Sequence, residues 1–397
     1  MRILHTSDWH LGARLGSQDR WPDHLARLRE LCAYIDQEAV DILLVAGDVF
    51  DEHRAEPLAV IISELARLLA SRIEAGLSCV FIAGNHDREH VFPFLRGLQD
   101  LVSPTSQRRV IFTERPRLAR IESRSNETIN LMLLPYPTPV RYDLGDEHWP
   151  SPDKKRADLA DAVRFRIKEL SEETRQTSRG LQTVLCGHFL MRGVKEGHYQ
   201  LSEQDDVPVE AGDLPSYAYV ALGHIHKPQL VGAPHIRYCG SLERMDRAEM
   251  GYDKQALLID INRGGLQEIR ELPLHATPFA HVQATSAAEL EAAATDLADR
   301  EHTMVSVTFT LEQGESFGAL QARARQLFPR LYGSPEVRWA HAPSSPTHRG
   351  DPSVLNRRDV AGTVRAYLQR TLKDDPDAEA LRQEADALLA EIESTPL

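Results

Sequence analysis

Five short clusters of residues able to bind metal recur along the first part of the chain: Asp8-x-His10, Gly47-Asp48, Gly84-Asn85-His86-Asp87, Gly187-His188 and Gly223-His224-Ile225-His226. A single histidine after an apolar run is usually structural, but core packing does not explain five clusters that all carry metal-competent side chains. Seven of the side chains, Asp8, His10, Asp48, Asn85, His188, His224 and His226, offer carboxylate oxygen, amide oxygen or imidazole nitrogen. That mixture suits Mn²⁺, Fe²⁺ or Zn²⁺ better than Mg²⁺ or Ca²⁺, which prefer all-oxygen shells. Seven donors are too many for one tetrahedral ion and suffice for two if one carboxylate bridges; Asp48 is the candidate bridge. Two divalent ions outweigh Asp8 and Asp48 and leave the pocket at about +2, able to hold a phosphodiester anion together with hydroxide. A metal pair ~3.5–4 Å apart activates an attacking water and clamps both oxygens of an in-line displacement. The residue types therefore point to metal-assisted phosphoester hydrolysis.

Each cluster follows an apolar run that reads as a strand, so its side chains emerge at the carboxyl edge of a sheet, where open α/β sheets place their ligand sites. Residues 2–7, 42–46 and 79–83 read as strands, with helices over 25–35 and 61–73 between them, because their apolar positions fall on one helical face. This alternation implies a parallel or mixed sheet with helices on its faces. Further strands are expected at 129–134, 183–186, 219–222, 236–239 and 256–261, a polar helix at 153–175, and a loop over the Pro-rich stretch 135–152.

After about residue 275 the pattern changes to a smaller βαβαβ unit over 279–283, 287–300, 304–311, 317–328 and 337–339. A breaker-rich linker, 343–352, follows. Apolar residues then fall at 360, 364, 367, 368 and 372, and again at 381, 385, 388, 389 and 392, which predicts two amphipathic helices separated by Asp374-Asp375-Pro376-Asp377. The expected domains are 1–275, 276–342 and a helical hairpin over 353–397 beyond the linker.

The chain has 397 residues, 42% hydrophobic and 26% charged, enough for a sizeable core in two or three domains and incompatible with wholesale disorder. No apolar run reaches the ~18 residues of a membrane span, and the opening MRILHTSDWH turns polar too early for a secretory signal. Cys32, Cys79, Cys186 and Cys239 lie far apart with no CxxC pair, and read as buried small residues in a reducing cytosol. A net charge of −13 argues against indiscriminate nucleic-acid binding over the whole surface, though a metal pair supplies positive potential locally.

The set of motifs resembles the calcineurin-like metallophosphoesterase superfamily. The match is close to its nuclease branch, through HTSDWHLG at 5–12, AGDVFD at 46–51, AGNHD at 83–87, CGHF at 186–189, ALGHIHKPQ at 221–229 and YCGSLERMD at 238–246. The resemblance implies a sandwich of mixed β-sheets flanked by helices, with a small α+β capping domain and a C-terminal helical hairpin. It implies one ion held by Asp8, His10, Asp48 and His226, and a second held by Asp48, Asn85, His188 and His224. Mn²⁺ is the favoured metal, with Mg²⁺, Fe²⁺ or Zn²⁺ as alternatives. His86 is implied as a catalytic non-ligand beside the scissile phosphate, with Asp87 either its orienter or a plain turn residue. Archaeal and eukaryotic relatives often carry a histidine where this chain has Asp51, and the bacterial branch commonly has aspartate there. His53, nearby, reads as an exposed loop residue.

The same resemblance implies 3′→5′ exonuclease action on duplex DNA ends and endonuclease action on hairpins or single strands, in replication, recombination and repair. It implies a homodimer joined to two copies of a coiled-coil ATPase gripped by the hairpin, in the cytoplasm and near the nucleoid. Arg108, Arg109, Arg115, Arg117 and Arg120, and Lys154-Lys155-Arg156, read as solvated charged faces before they read as DNA contacts; Trp9 reads as packing beneath the metal site. Two rivals remain at this stage: a small-substrate or cyclic-nucleotide phosphodiesterase, and a non-catalytic scaffold. Against protein phosphatases, the bridging motif continues as Gly47-Asp-Val-Phe-Asp51-Glu-His53, without the Arg-Gly that follows the second aspartate there.

Overall fold

The computed structural model describes residues 1–102, 109–145, 149–177, 180–194, 207–214, 216–311, 317–340 and 360–371, with positions 382, 385, 386 and 389. From the N-terminus run β1 (Arg2–Thr6), a hairpin of β2 (Arg14–Leu15) and β3 (Gln18–Asp19), α1 (Trp21–Gln37), β4 (Ile42–Val45), α2 (Ala55–Glu74), β5 (Ser78–Ile82) and α3 (Val91–Val102). Next come β6 (Val110–Thr113), β7 (Arg117–Glu122), β8 (Thr128–Leu134), α4 (Pro152–Thr177), β9 (Thr183–His188), β10 (Tyr219–Gly223), β11 (Gln229–Val231) and β12 (Ala233–Tyr238). The chain continues through β13 (Lys254–Asn262), β14 (Gly265–Leu274), β15 (Phe279–Ala284), α5 (Ala287–Asp296), β16 (Met304–Leu311), α6 (Phe317–Leu327), β17 (Glu336–Trp339) and α7 (Val360–Thr371).

Two six-stranded mixed sheets carry the structure, ordered β14-β13-β1-β4-β5-β6 and β11-β12-β10-β9-β8-β7. The strands near their centres are buried on both faces and so read as unbroken apolar runs. In β4, Ile42 and Leu44 join Val80, Ile82, Leu131, Leu133, Val184 and Cys186 in the core between the sheets. Leu43 and Val45 turn the other way, onto Leu28, Leu31, Ile61 and Leu65 of α1 and α2. On the far side of the second sheet, Leu159, Val163, Ile167 and Leu170 of α4 pack on Met132, Leu185 and Val220. The result is the expected α/β sandwich, helices outside and two sheets within, with a separate three-stranded parallel sheet, β15-β16-β17, beneath α5 and α6.

The sequence places the five candidate strand ends on one sheet edge, whereas the structure divides them: β1, β4 and β5 belong to the first sheet, β9 and β10 to the second. Strands β6, β7, β11 and β14 escape the apolar-run criterion. β7 alternates exposed arginine with buried Ala119 and Ile121, the pattern of an edge strand with one wet face. All four cysteines are free and buried.

Residues 1–340 form one compact unit and 341–397 a second. Of the expected hairpin, α7 is described; the linker 343–352 and most of the predicted helix at 381–392 lie outside the described residues. Among the described residues no helix is long and apolar enough to cross a membrane.

Candidate metal centre

The five clusters meet where the carboxyl ends of the two sheets face each other. Asp8 and His10 follow β1, Asp48 follows β4, Asn85 and His86 follow β5, His188 closes β9, and His224 and His226 follow β10. The turns are tight enough to strain the backbone: Asp8 (φ 50), His10 (φ 45), Asp48 (φ 50) and His224 (φ 93) all sit in the left-handed region, which costs a non-glycine residue about 1–3 kcal/mol and concentrates at functional sites. Two glycines make room. A Cβ on Gly47 (φ +90) would lie 2.1 Å from His188 Nδ1, and one on Gly84 would lie 2.3 Å from the Asp48 amide nitrogen.

All seven expected donors are brought together. His10 Nε2 and His226 Nε2 lie 3.1 Å apart, with Asp8 Oδ1 4.0 Å from His226 Nε2. Asp48 Oδ2 stands between the two halves, 3.7 Å from His10 Nε2 and 3.4 Å from His188 Nε2. Asn85 Oδ1 is 3.0 Å from both His188 Nε2 and His224 Nδ1. Donor atoms of Asp8, His10 and His226, and of Asp8, Asp48 and His188, lie within 4.8 Å of one another. His10, Asp48 and His86 form a third such group, so His86 stands as close as the expected ligands.

The chemistry of this donor set fits divalent ions. His188 Nδ1 faces the Ala46 carbonyl at 2.7 Å, and His226 Nδ1 faces Glu249 Oε1 at 2.8 Å. Neither partner has a proton to give, so both rings carry hydrogen on Nδ1 and, when neutral, aim the Nε2 lone pair into a cage of carboxylate and amide oxygens. Acceptors that converge in this way suit a divalent cation. The site attracts positive charge: burial pushes His188 down, but the Asp48 carboxylate more than reverses it, to about 9. Burial pushes Asp48 up, and His188, His10 and His86 overcome it and hold the carboxyl well below its usual range. His226 is likewise raised, Glu249 outweighing burial. His10, where burial dominates, falls to about 4.

His86 Nδ1 lies 2.9 Å from Asp51 Oδ1, and its amide donates to Asp48 Oδ1 at 2.8 Å. Asp87, expected as a possible orienter of His86, instead accepts from the amides of Gly84, Val49 and Phe50 at 2.8–3.1 Å. It therefore braces the loops after β4 and β5, and the orienting position belongs to Asp51. Arg141, in the Pro-rich stretch, is buried and caps the carbonyls of Gly84 and Asp87 at 2.7 Å each. Sequence reading missed Arg141 and Glu249, since neither belongs to a strand-end motif. Trp9 packs edge-on against Phe81 below the site and donates to Thr6 Oγ1, as expected of a packing residue. Most of the arginine cluster is tied up locally: Arg109 donates to the Gly76 carbonyl, Arg115 pairs with Asp143, and Arg120 donates to the Thr177 carbonyl, while Arg108 lies outside the described residues.

The model of the calcineurin-like phosphoesterase family matches residues 1–228. The chain belongs to that family. Within it, the chain is 30% identical to the D subunit of the nuclease SbcCD of Rhodobacter capsulatus over 286 residues, covering 69% of each chain. It is 30% identical to the protein of the same name from Bacillus subtilis, covering 66% of this chain and 67% of that one. The Escherichia coli K12 counterpart is 28% identical over 285 residues, 70% of this chain and 69% of that one. The aligned length in each case exceeds the region that carries the five clusters.

Proposed function

We propose that this chain is the metal-dependent DNA nuclease subunit of an SbcCD-type complex. It hydrolyses phosphodiesters 3′→5′ from duplex ends and endonucleolytically at hairpins or single strands, serving repair, recombination and replication. The observation that carries the reading is the position of Asp48 Oδ2 between His10 and His188, at the centre of a cage of acceptors. Asp8, His10, Asp48 and His226 would hold one ion and Asp48, Asn85, His188 and His224 the other, with Mn²⁺ the best fit to the mixed nitrogen and oxygen donors. Bound there, the ions supply Lewis-acid polarisation of the phosphate and activation of water.

The chain's own groups do the rest. Asp51 holds the His86 ring with Nδ1 toward itself and keeps it protonated to about 9, chiefly through their hydrogen bond. A protonated His86 beside the scissile phosphate can donate to the leaving sugar oxygen, a contribution typically worth ~10²–10⁴-fold. Asp87 and Arg141 hold the His86 loop rigid. The unit over 276–342 reads as a capping domain, and the hairpin over 353–397 as the dock for an SbcC-type coiled-coil ATPase, in a cytoplasmic, nucleoid-associated assembly of two chains of each kind.

The test compares a 3′-labelled DNA duplex with bis-p-nitrophenyl phosphate in the presence of Mn²⁺. Metal-dependent release of label from the duplex supports the nuclease reading. Hydrolysis of the small diester with the duplex left intact puts a small-substrate phosphodiesterase in its place.

A further inference from the structure

Behind His226 lies a buried polar trio outside the strand-end motifs. His226 Nδ1 donates to Glu249 Oε1 at 2.8 Å. The other Glu249 oxygen accepts from Lys254 Nζ, which also donates to Ser241 Oγ at 2.6 Å and to the His226 carbonyl at 3.0 Å. Glu249 is 3% exposed, Lys254 1% and Ser241 0%. A buried ion pair is a poor source of stability relative to apolar side chains of similar volume, since desolvation cancels most of the attraction. Its direction gives it a use: the pair ends on a ring that faces the metal cage. Lys254 grips both the Glu249 carboxylate and the His226 backbone, so ring and main chain are held from two sides.

Behind His188 the arrangement differs. His188 Nδ1 rests on the neutral Ala46 carbonyl, not on a carboxylate, while its Nε2 lies beside the neutral Asn85 amide oxygen as well as Asp48. Asp8 and Asp48 stand near both halves, and what sets the His226 half apart is Glu249, a further carboxylate one hydrogen bond behind the ring. A carboxylate behind a ligating histidine fixes the tautomer and ring orientation, and its loss typically costs 10–100-fold in metal affinity.

We propose that Glu249 is a positioning residue for His226, and that it makes the Asp8, His10 and His226 position the tighter of two ion sites. The inference rests on the two-ion reading above and adds the order of filling and the residue that sets it.

The test titrates the metal-free full-length chain with Mn²⁺ by calorimetry, with bound ion counted by electron paramagnetic resonance. The wild-type chain takes up two ions, one more tightly. Glu249→Gln weakens the tighter ion about 10–100-fold and leaves the other unchanged, because an amide has one acceptor oxygen and cannot serve His226 and Lys254 together. Combining it with Lys254→Met removes the competing donor, frees the amide oxygen for His226, and recovers part of the loss. The double variant is also neutral and close in shape, so it serves if the single one folds poorly. Unchanged affinity in Glu249→Gln overturns the proposal and leaves the two-ion reading standing. A deeper loss in the double variant makes the trio scaffold only, and overturns it as well. A wild-type chain that takes up no Mn²⁺ overturns the two-ion reading itself, and the proposal with it.

Discussion

Asp51 Oδ1 sits 2.9 Å from His86 Nδ1, and the other oxygen of the same carboxylate lies 3.9 Å from His10 Nδ1. One acidic side chain thus spans the proposed proton donor and a proposed metal ligand. Its hydrogen bond raises His86 to about 9, so the ring is protonated below that pH and loses its proton above it. Activity that needs the protonated ring therefore falls as pH rises through that limb. Asp51→Asn is expected to move the alkaline limb of kcat to lower pH and to reduce kcat about 10–100-fold. An alkaline limb that stays in place in a pH–rate profile would detach Asp51 from the proton donor. His86→Asn is expected to abolish cleavage with Mn²⁺ stoichiometry near two; lost metal would make His86 a ligand.

Asp48 Oδ2 faces both halves of the cage. Asp48→Asn should lower occupancy at both ion positions, read by calorimetry or by elemental analysis of the purified chain. Loss of one ion alone would show that the carboxylate serves a single site.

Gly47 and Gly145 both have positive φ, but only Gly47 is crowded: a Cβ there meets His188 Nδ1 at 2.1 Å, whereas nothing lies within 4 Å of one on Gly145. Each alanine variant should lose about 1–3 kcal/mol to backbone strain. Gly47→Ala alone should also lose Mn²⁺ affinity. Equal metal binding by both variants would mean that His188 is free to shift.

His5 is fully buried with Nδ1 2.9 Å from Tyr219 Oη, and burial lowers it from 6.5 to about 3. His24 falls to about 3 for the same reason. Between those values the unfolded chain binds a proton that the folded chain refuses. Stability is therefore full above pH 6.5 and lost as pH falls toward 3, at about 1.4 kcal/mol per pH unit for each ring. His5→Phe should remove one ring's share of that slope in denaturant unfolding between about pH 6 and 4. An unchanged slope would mean that His5 takes up its proton without unfolding.

Helix α7 presents an apolar series that includes an exposed Tyr367. Removing residues 353–397 should spare Mn²⁺-dependent hydrolysis of small diesters and abolish co-purification with the coiled-coil ATPase, the expected behaviour of a helix that docks in a partner's groove. Retained co-purification would return that segment to its own chain.

The proposed metal donors were legible in the sequence because coordination chemistry allows few residue types, and Asp8, His10, Asp48, Asn85, His188, His224 and His226 all stand at or just after the ends of strands that read as unbroken apolar runs. β1, β4, β5, β9 and β10 are buried on both faces, so local hydrophobicity alone reveals them. The edge strands β7 and β14 carry arginine and glutamate on a wet face and give no such signal. Only the tertiary structure decided that the donors come from two sheets, since the sheets meet through contacts between residues more than a hundred positions apart, such as Asn85 with His188. It likewise turned Asp87 onto backbone amides and gave His86 to Asp51. Both aspartates follow the motifs at suitable spacing, and only the path of the backbone chooses between them. Glu249 stands beside His226 through folding alone: a carboxylate in a short 3-10 turn carries no local mark of the ring it will meet.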